Sequence, residues 1–189
     1  MANKVEFGIS QLHVGTYTVA DDGTVTLGTP YHQPGAVSFA PEEQSENSNF
    51  YADNTIYYAG FTGGTFEGDL TVAKFSDTFK TSFLGYVQLD DGGIAIYKNA
   101  IKPSVYIMFQ IEGDAEKRRV IYYNASLGAI NREYNTIEDT KEPQTETIAV
   151  TVVGDNGTGQ SYASYKESDA VYSTMFTSPP SPSTPSESS

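Results

Sequence analysis

Hydrophobic residues alternate with polar residues through most of the chain, which is the period-2 pattern of β-strands with one buried face. Near the N-terminus the alternation of residues 5–9 changes phase, so that Leu12 and Val14 fall on the opposite parity. A β-bulge near Ser10 and Gln11 would return these side chains to one buried face. The pattern therefore predicts a long first strand with an irregularity close to its start.

The same alternation predicts further strands, several of them joined as hairpins by turns that contain glycine. Two hairpins are predicted, one from residues 17–19 and 25–27 around Asp21–Gly23 and one from residues 105–111 and 120–123. Single strands are predicted from Val37 and Phe39 onward, at residues 66–72 and, last in the chain, at 148–152. Residues 40–49 are polar, acidic and aperiodic, so we expect a long loop there. Long loops in compact domains are usually functional or disordered.

One short helix is predicted between two of these strands. Phe75, Phe79 and Phe83 recur at the spacing of one helix face, Ser76 or Asp77 can cap the N-terminus, and Gly85 follows where a helix would stop. A phenylalanine stripe at this spacing is typical of core packing against a sheet.

Composition supports a mainly β fold. Only 19% of the residues are charged, while the 17 Gly and 14 Tyr favour turns and strands. We expect two packed antiparallel sheets, in a β-sandwich or barrel-like arrangement, with one short flanking helix. We divide the chain into a β domain at 1–153, a C-terminal arm at 154–177 and a tail at 178–189 in which ten of the twelve residues are Ser or Pro.

No constellation of catalytic residues is visible. The chain has no Cys and no Trp, and its two histidines, His13 and His32, lie outside known catalytic motifs. Paired acids such as Asp21–Asp22 and Asp90–Asp91 are typical of turns, although a two-carboxylate glycosidase stays open at this stage. The glycine-rich stretch 154–159 is interpreted as a loop rather than a calcium site, because it supplies one carboxylate. We therefore expect no enzymatic activity, catalytic residue, metal or cofactor.

The formal net charge of −13 disfavours binding to nucleic acid and to anionic membranes. The N-terminus lacks the pattern of a signal peptide, so we expect synthesis in a cytoplasm. Lys117, Arg118 and Arg119 form a cationic run that we expect to face an acidic neighbour, in the same subunit or the next. Residues 1–60 carry seven acids and one base, which would suit head-to-tail association of copies.

Specific strings point further than composition does. MANKVEFGISQLHVGTYTV, FYADNTIYYAGF and GDLTVAKFSDTFKTSFLGY, in this order, resemble the major tail protein (tail tube protein) family of long-tailed, non-contractile phages of Gram-positive bacteria. The resemblance covers roughly residues 2–153. It implies two packed β-sheets with one helix, and a structural protein of the virion tail.

The resemblance also implies how copies assemble. Hexameric rings would stack into a hollow tube for DNA, which passes without specific binding, and the tape measure and tube terminator proteins would be further partners. Candidate subunit or ring contacts lie in the long loop, in the aromatic segment that follows it and in the basic run: Glu42, Glu43, Glu46, Phe50, Tyr51, Asp53, Lys117, Arg118 and Arg119. Glu67 and Asp69 are candidates to face the lumen, where carboxylates repel phosphate. The alternatives are another phage structural or decoration protein, or a carbohydrate-binding β-sandwich.

Overall fold

The computed structural model describes residues 8–52, 55–132 and 144–185, with the backbone alone for 46–52 and 55–62. Eleven strands and one helix occur in these ranges. In chain order they are β1 (Gly8–Val19), β2 (Val25–Leu27), β3 (Tyr31–His32), β4 (Ala36–Ala52), β5 (Thr55–Val72), α1 (Asp77–Phe83), β6 (Tyr86–Gln88), β7 (Ile94–Ile96), β8 (Val105–Glu112), β9 (Arg119–Arg132), β10 (Glu146–Val152) and β11 (Tyr162–Tyr165).

Two antiparallel sheets are present, and they differ greatly in size. The large sheet has nine strands in the order β2-β1-β8-β9-β10-β5-β4, with β3 also paired to β1 and β11 also paired to β9. The small sheet is the hairpin β6-β7, whose Tyr86 packs against the core of the large sheet. The predicted class, mainly β with two antiparallel sheets and one helix, is confirmed, and the large sheet is open rather than closed into a barrel.

The predicted irregularity in the first strand is present. The pairing of β1 with β8 changes register between Ser10 and His13, and Gln11 has a positive φ of 54°. The predicted hairpins β1-β2 and β8-β9 are also present.

The main core lies on one face of the large sheet. Val105, Ile107 and Phe109 of β8 enter it together with side chains from β1, β5, β9 and β10. Phe39 and Phe66 pack edge-on against Tyr122, with ring centroids 5.4 and 5.3 Å apart. Edge-to-face contacts of this kind stabilise aromatic cores beyond the area that they bury.

Helix α1 closes this core as the sequence predicts. Its N-cap is Ser76, whose hydroxyl accepts a hydrogen bond from the Phe79 N–H at 3.1 Å. Phe75 and Phe79 are fully buried and Phe83 is 4% exposed. Gly85 follows the helix at φ +70°, a conformation that glycine adopts without strain. The Phe stripe is therefore part of the core.

A second core lies on the opposite face and is covered by the C-terminal residues. Tyr106 and Met108 of β8 join Ile121 and Tyr123 of β9 there, and Met175 is fully buried against them. The predicted last strand, β10, is followed by one more, β11. The boundaries proposed at 153 and 177 stay predictions, but Tyr165, Met175 and Phe176 pack in the second core.

The prediction of a loop at residues 40–49 is wrong. These residues lie inside β4, which pairs with β5 along its whole length, from Ala36 opposite Val72 to Ala52 opposite Thr55. The hydrophobic pattern missed this strand because residues 42–45 are exposed on both faces, and a strand in that setting needs no alternation. Backbone pairing with β5 along one edge holds the strand in place without a hydrophobic face.

Candidate assembly surfaces

The β4-β5 hairpin continues beyond the rest of the large sheet. Strand β10 pairs with β5 only between Phe66 and Val72, so residues 44–52 and 55–65 pair only with one another among the described residues. We call these two segments the hairpin arm. Strand β4 is also an outer strand of the sheet, so its second edge is open within the described part of the chain. Open edges of this kind are ready to pair with another chain.

The predicted contact residues fall at different points of this hairpin. Glu42 and Glu43 are exposed and lie where the arm leaves the sheet. On the arm, Glu46, Phe50 and Tyr51 are opposite Thr62, Tyr58 and Ile56 in the backbone pairing. Asp53 lies outside the described residues. The structure therefore brings the acidic and aromatic candidates onto one projecting element rather than a loop.

The two predicted lumen residues lie on an exposed polar face. Glu67 and Asp69 are exposed on β5, whereas Leu70 and Val72 are buried in the main core. Glu42 is directly opposite Glu67, which groups a contact candidate with a lumen candidate. No ion pair within the described residues involves these acids. Like charges opposite one another are unfavourable in an isolated sheet.

Small polar side chains continue this face across β10 and β9. Thr151 lies between Glu67 and Ser126 in the register, and the hydroxyls of Thr71 and Thr147 are 2.9 Å apart. We call this surface, from β4 to β9, the polar face. Its chemistry is that of a solvated wall with carboxylates and hydroxyls and few apolar groups.

The basic run pairs within its own subunit. Lys117 Nζ lies 2.9 Å from Glu167, and Arg118 pairs with Glu116 and Asp114. Hydrogen bonds from Lys166 and Arg118 lower the pKa of Glu116. These pairs lie within one subunit, and a further role of the basic run in subunit or ring contacts stays a prediction.

Arg119 anchors the C-terminal segment. Its guanidinium carbon lies 4.0 Å from the Tyr172 ring centroid and 4.3 Å from that of Phe176. Its Nη1 also donates to the Tyr172 carbonyl oxygen at 2.5 Å. Farther along, the Tyr123 hydroxyl donates to the Pro180 carbonyl oxygen at 2.8 Å. An arginine held between two rings and a carbonyl is a fixed structural contact rather than a free cation.

The two histidines face each other across β1 and β3. Their ring centroids are 4.9 Å apart, and His13 stacks on Phe176 at 4.4 Å. Burial lowers the pKa of His13, and the charges of His32 and Arg119 lower it further. A hydrogen bond to the Gln11 carbonyl raises this pKa and offsets part of the change. This geometry favours neutral His13 as a packing residue.

The glycine-rich loop after β10 is held by Asp155. This carboxylate is 3% exposed and accepts hydrogen bonds from the Tyr17 hydroxyl and from the N–H and hydroxyl of Thr158. Burial raises the pKa of Tyr17. Among the described residues no group of His, Cys, Asp or Glu side chains is placed to hold a metal ion.

A cavity that the sequence analysis missed opens beside α1. It has a volume of about 370 Å³ and is lined by Lys74, Lys80, Arg132, Glu146, Tyr86 and Ile94, among others. Glu146 accepts from Arg132 Nε at 2.8 Å and from the Phe75 N–H at 2.7 Å. We call this site the cationic cavity. The three cations are up to 58 positions apart in sequence, so no local pattern could have indicated it.

An open antiparallel sheet, a projecting hairpin and a polar acidic face together are typical of a structural protein that associates through its strands. Residues 2–172 match the family model for phage tail tube proteins, so the chain belongs to the phage tail tube protein family. The match extends past the stretch that showed the resemblance. It confirms the tail tube interpretation over a decoration protein or a carbohydrate-binding module.

Solved structures of low identity were also found. One is from the sheath–tube complex of an extracellular contractile injection system, PVC, in the extended state, with 10% identity, a TM-score of 0.47, and coverage of 86% of this chain and 94% of that chain. Another is from the tube-terminating cap of the anti-feeding prophage, with 12% identity, a TM-score of 0.46, and coverage of 86% and 93%. No curated protein gave a significant match. Both TM-scores are low, so the assignment rests on the family match.

No helix in the described part of the chain is both long and apolar enough to cross a membrane.

Proposed function

We propose that this chain forms hexameric rings that stack into the tail tube, a conduit through which genome DNA leaves the virion. Membership in the tail tube family carries the proposal, since it makes the chain a structural component of the tail. A structural role of this kind needs no catalytic residue or cofactor. Synthesis in the host cytoplasm precedes assembly, and tape measure and tube terminator proteins are the further partners.

The open edge of the large sheet supports ring formation. An outer strand as long as β4 exposes a row of unpaired N–H and C=O groups, which favours pairing with a second copy. A heterologous contact repeated around an axis closes into a ring. The hairpin arm extends past the sheet and is suited to reach a neighbouring subunit or ring.

The polar face supports a lumen lined by carboxylates. Glu67 and Asp69 are exposed there, and Glu42 adds a third carboxylate to the same face. A wall of this charge repels phosphate, so DNA would pass without binding. In this proposal Glu42 belongs with the lumen residues, whereas Glu43, on the opposite side of the strand, stays a contact candidate.

Electron microscopy of concentrated purified protein tests the proposal. We expect tubes or stacked rings whose end views average to sixfold symmetry. Native mass spectrometry gives an independent count of the subunits in a ring. A protein that stays monomeric at all concentrations and salt conditions tried would contradict the proposal.

A further inference from the structure

We propose that the cationic cavity is the receptor for the hairpin arm of a second copy, and that it binds the carboxylate of Asp53 at the end of that arm. This inference rests on the proposed assembly into stacked rings. It adds the receiving site and the ion pair that would define how successive copies align.

One cation of the cavity receives no hydrogen-bond acceptor from the described residues. The side chain of Lys80 is only 5% exposed, yet its Nζ is 3.6 Å from Asp77 Oδ1 and 3.9 Å from Glu146 Oε2. Both distances exceed hydrogen-bond length, and no other described residue bonds this ammonium. Glu146 is already bonded by Arg132 and by the Phe75 N–H. A nearly buried ammonium of this kind is stabilised by an additional carboxylate.

The charge around the cavity is the reverse of the molecule as a whole. Lys74, Lys80 and Arg132 are three of the eleven basic residues in a chain of net charge −13. Copies of so acidic a chain repel one another unless cations meet carboxylates at their contacts. The cavity is therefore a favourable place for a carboxylate of a second copy.

The arm and the cavity lie at opposite ends of the same strand. Strand β5 begins at Thr55, at the end of the arm, and finishes at Val72, directly before Ala73 and Lys74 in the cavity wall. An extended strand of this length spans about 55 Å. A projection at one end and a receptor at the other favour head-to-tail stacking, in which each copy donates its arm to the next.

The residue types at the end of the arm match those around the cavity. Residues 50–58 read FYADNTIYY, so Asp53 is the one charged group among aromatic and apolar residues. Tyr86 and Ile94 line the cavity, and Val87 and Ile96 of the same small sheet are about half exposed. Aromatic rings beside lysine and arginine add cation–π attraction to the ion pair.

The same chain is an alternative source of the carboxylate that binds in the cationic cavity. Residues 133–143, which lie outside the described residues, connect Arg132 to Gln144 of the cavity wall and contain Glu133, Glu138, Asp139 and Glu142. The experiment must therefore distinguish an acid of a second copy from an acid of the same copy.

Zero-length cross-linking of isotopically mixed tubes makes this distinction. Tubes assembled from equal amounts of ¹⁴N- and ¹⁵N-labelled protein are treated with a carbodiimide, which joins lysine to a carboxylate in contact with it. We expect peptides with Lys74 or Lys80 joined to Asp53, half of them containing one light and one heavy partner. Cross-links only to residues 133–142, or none to Asp53 in intact tubes, would overturn the proposal.

A matched charge reversal tests the energetics. Lys74 is exposed, so Lys74→Glu should leave the melting temperature unchanged. The control is Lys98→Glu, which makes the same charge change at an exposed lysine outside the cavity. We expect Lys74→Glu to raise the critical concentration for tube assembly roughly tenfold over Lys98→Glu, and Asp53→Lys in the same chain to restore assembly. Equal assembly of the two single variants overturns the inference while the proposed function stands. Wild-type protein that forms no tubes overturns both.

Discussion

At the scale of single residues, the rings of Phe75, Phe79 and Phe83 form a continuous series of contacts, the first stacked and the second tilted. Their centroids are 4.8 and 5.2 Å apart along the series, and Phe79 in the middle is fully buried. The stripe therefore attaches α1 to the sheet and has no free face for a ligand.

Phe79→Ala removes the central ring of this series. We expect it to reduce the free energy of unfolding by about 3–5 kcal/mol, because the lost transfer energy is accompanied by a cavity. Chemical denaturation measures the change, and Thr78→Ala on the exposed side of the helix is the control. Equal stability of the two variants would show that the ring is not part of the folded core.

His13 couples stability to pH. Its pKa in the folded protein is lowered below 6.5, so the unfolded chain binds a proton more readily than the folded one. The stabilising contribution is therefore present above the unfolded pKa and is lost as the pH falls toward the folded pKa. We expect wild-type protein to lose more stability than His13→Gln between about pH 7.5 and pH 5.5, where histidine titrates. Parallel stability curves would contradict this coupling.

At the scale of elements, the long hairpin and the C-terminal segment differ in how much the folding of the sheet depends on them. The hairpin arm pairs only with itself among the described residues, so the rest of the sheet does not depend on it. The C-terminal segment has Met175 fully buried and covers the second core, so folding does depend on it.

Shortening the arm separates assembly from folding. We propose to delete residues 45–64 and to join Gln44 to Thr65, its register partner, through an Asn-Gly turn. The monomer should keep a near-native melting temperature, because the pairing of Ala36 to Gln44 with β5 is retained. Tube formation, scored by electron microscopy, should be lost. Normal tubes from the shortened protein would show that the arm has no part in assembly.

Truncation after Tyr165 tests the C-terminal segment. It uncovers Met108 and Tyr123 and removes both Met175 and the rings that enclose Arg119. We expect a loss of at least 2–5 kcal/mol, roughly the cost of emptying one buried apolar site. Truncation after Pro185 is the control and should unfold like the full chain in calorimetry. A stable 1–165 protein would contradict the packing role.

At the scale of the whole molecule, the net charge limits where copies of the chain can associate. A chain of net charge −13 associates where its few cations meet carboxylates, and elsewhere its acids stay in solvent. The polar face supplies such acids on β4 and β5, which is the property that the proposed DNA conduit requires.

Reversing two charges on this face should change DNA release. Glu67→Lys with Asp69→Lys gives every ring a wall that attracts phosphate, so virions of normal shape should eject DNA more slowly, most clearly at low salt, where screening is weakest. The control is Asp90→Lys with Asp91→Lys, the same charge change in the exposed turn between β6 and β7. Ejection rates equal to the control at every ionic strength would place Glu67 and Asp69 away from the lumen.

The sequence by itself determined the parts of the fold that depend on local pattern. The alternation around Leu12 and Leu70, the stripe of Phe79 and the turn residues each specify one element through the side chains that it must bury. These signals are local, so the strands of the core, the bulge in β1 and helix α1 could all be predicted without knowledge of their partners.

The tertiary structure alone decided what depends on distant pairing. Residues 40–49 became a strand because β5 pairs with their backbone along one edge, a reason that leaves no mark on hydrophobic periodicity. Met175 is buried because its segment crosses an apolar face of β8 and β9. The cationic cavity exists because register places Arg132 opposite Glu146 and α1 brings Lys80 beside them. A site assembled from separate elements is defined only when the sheet order is known.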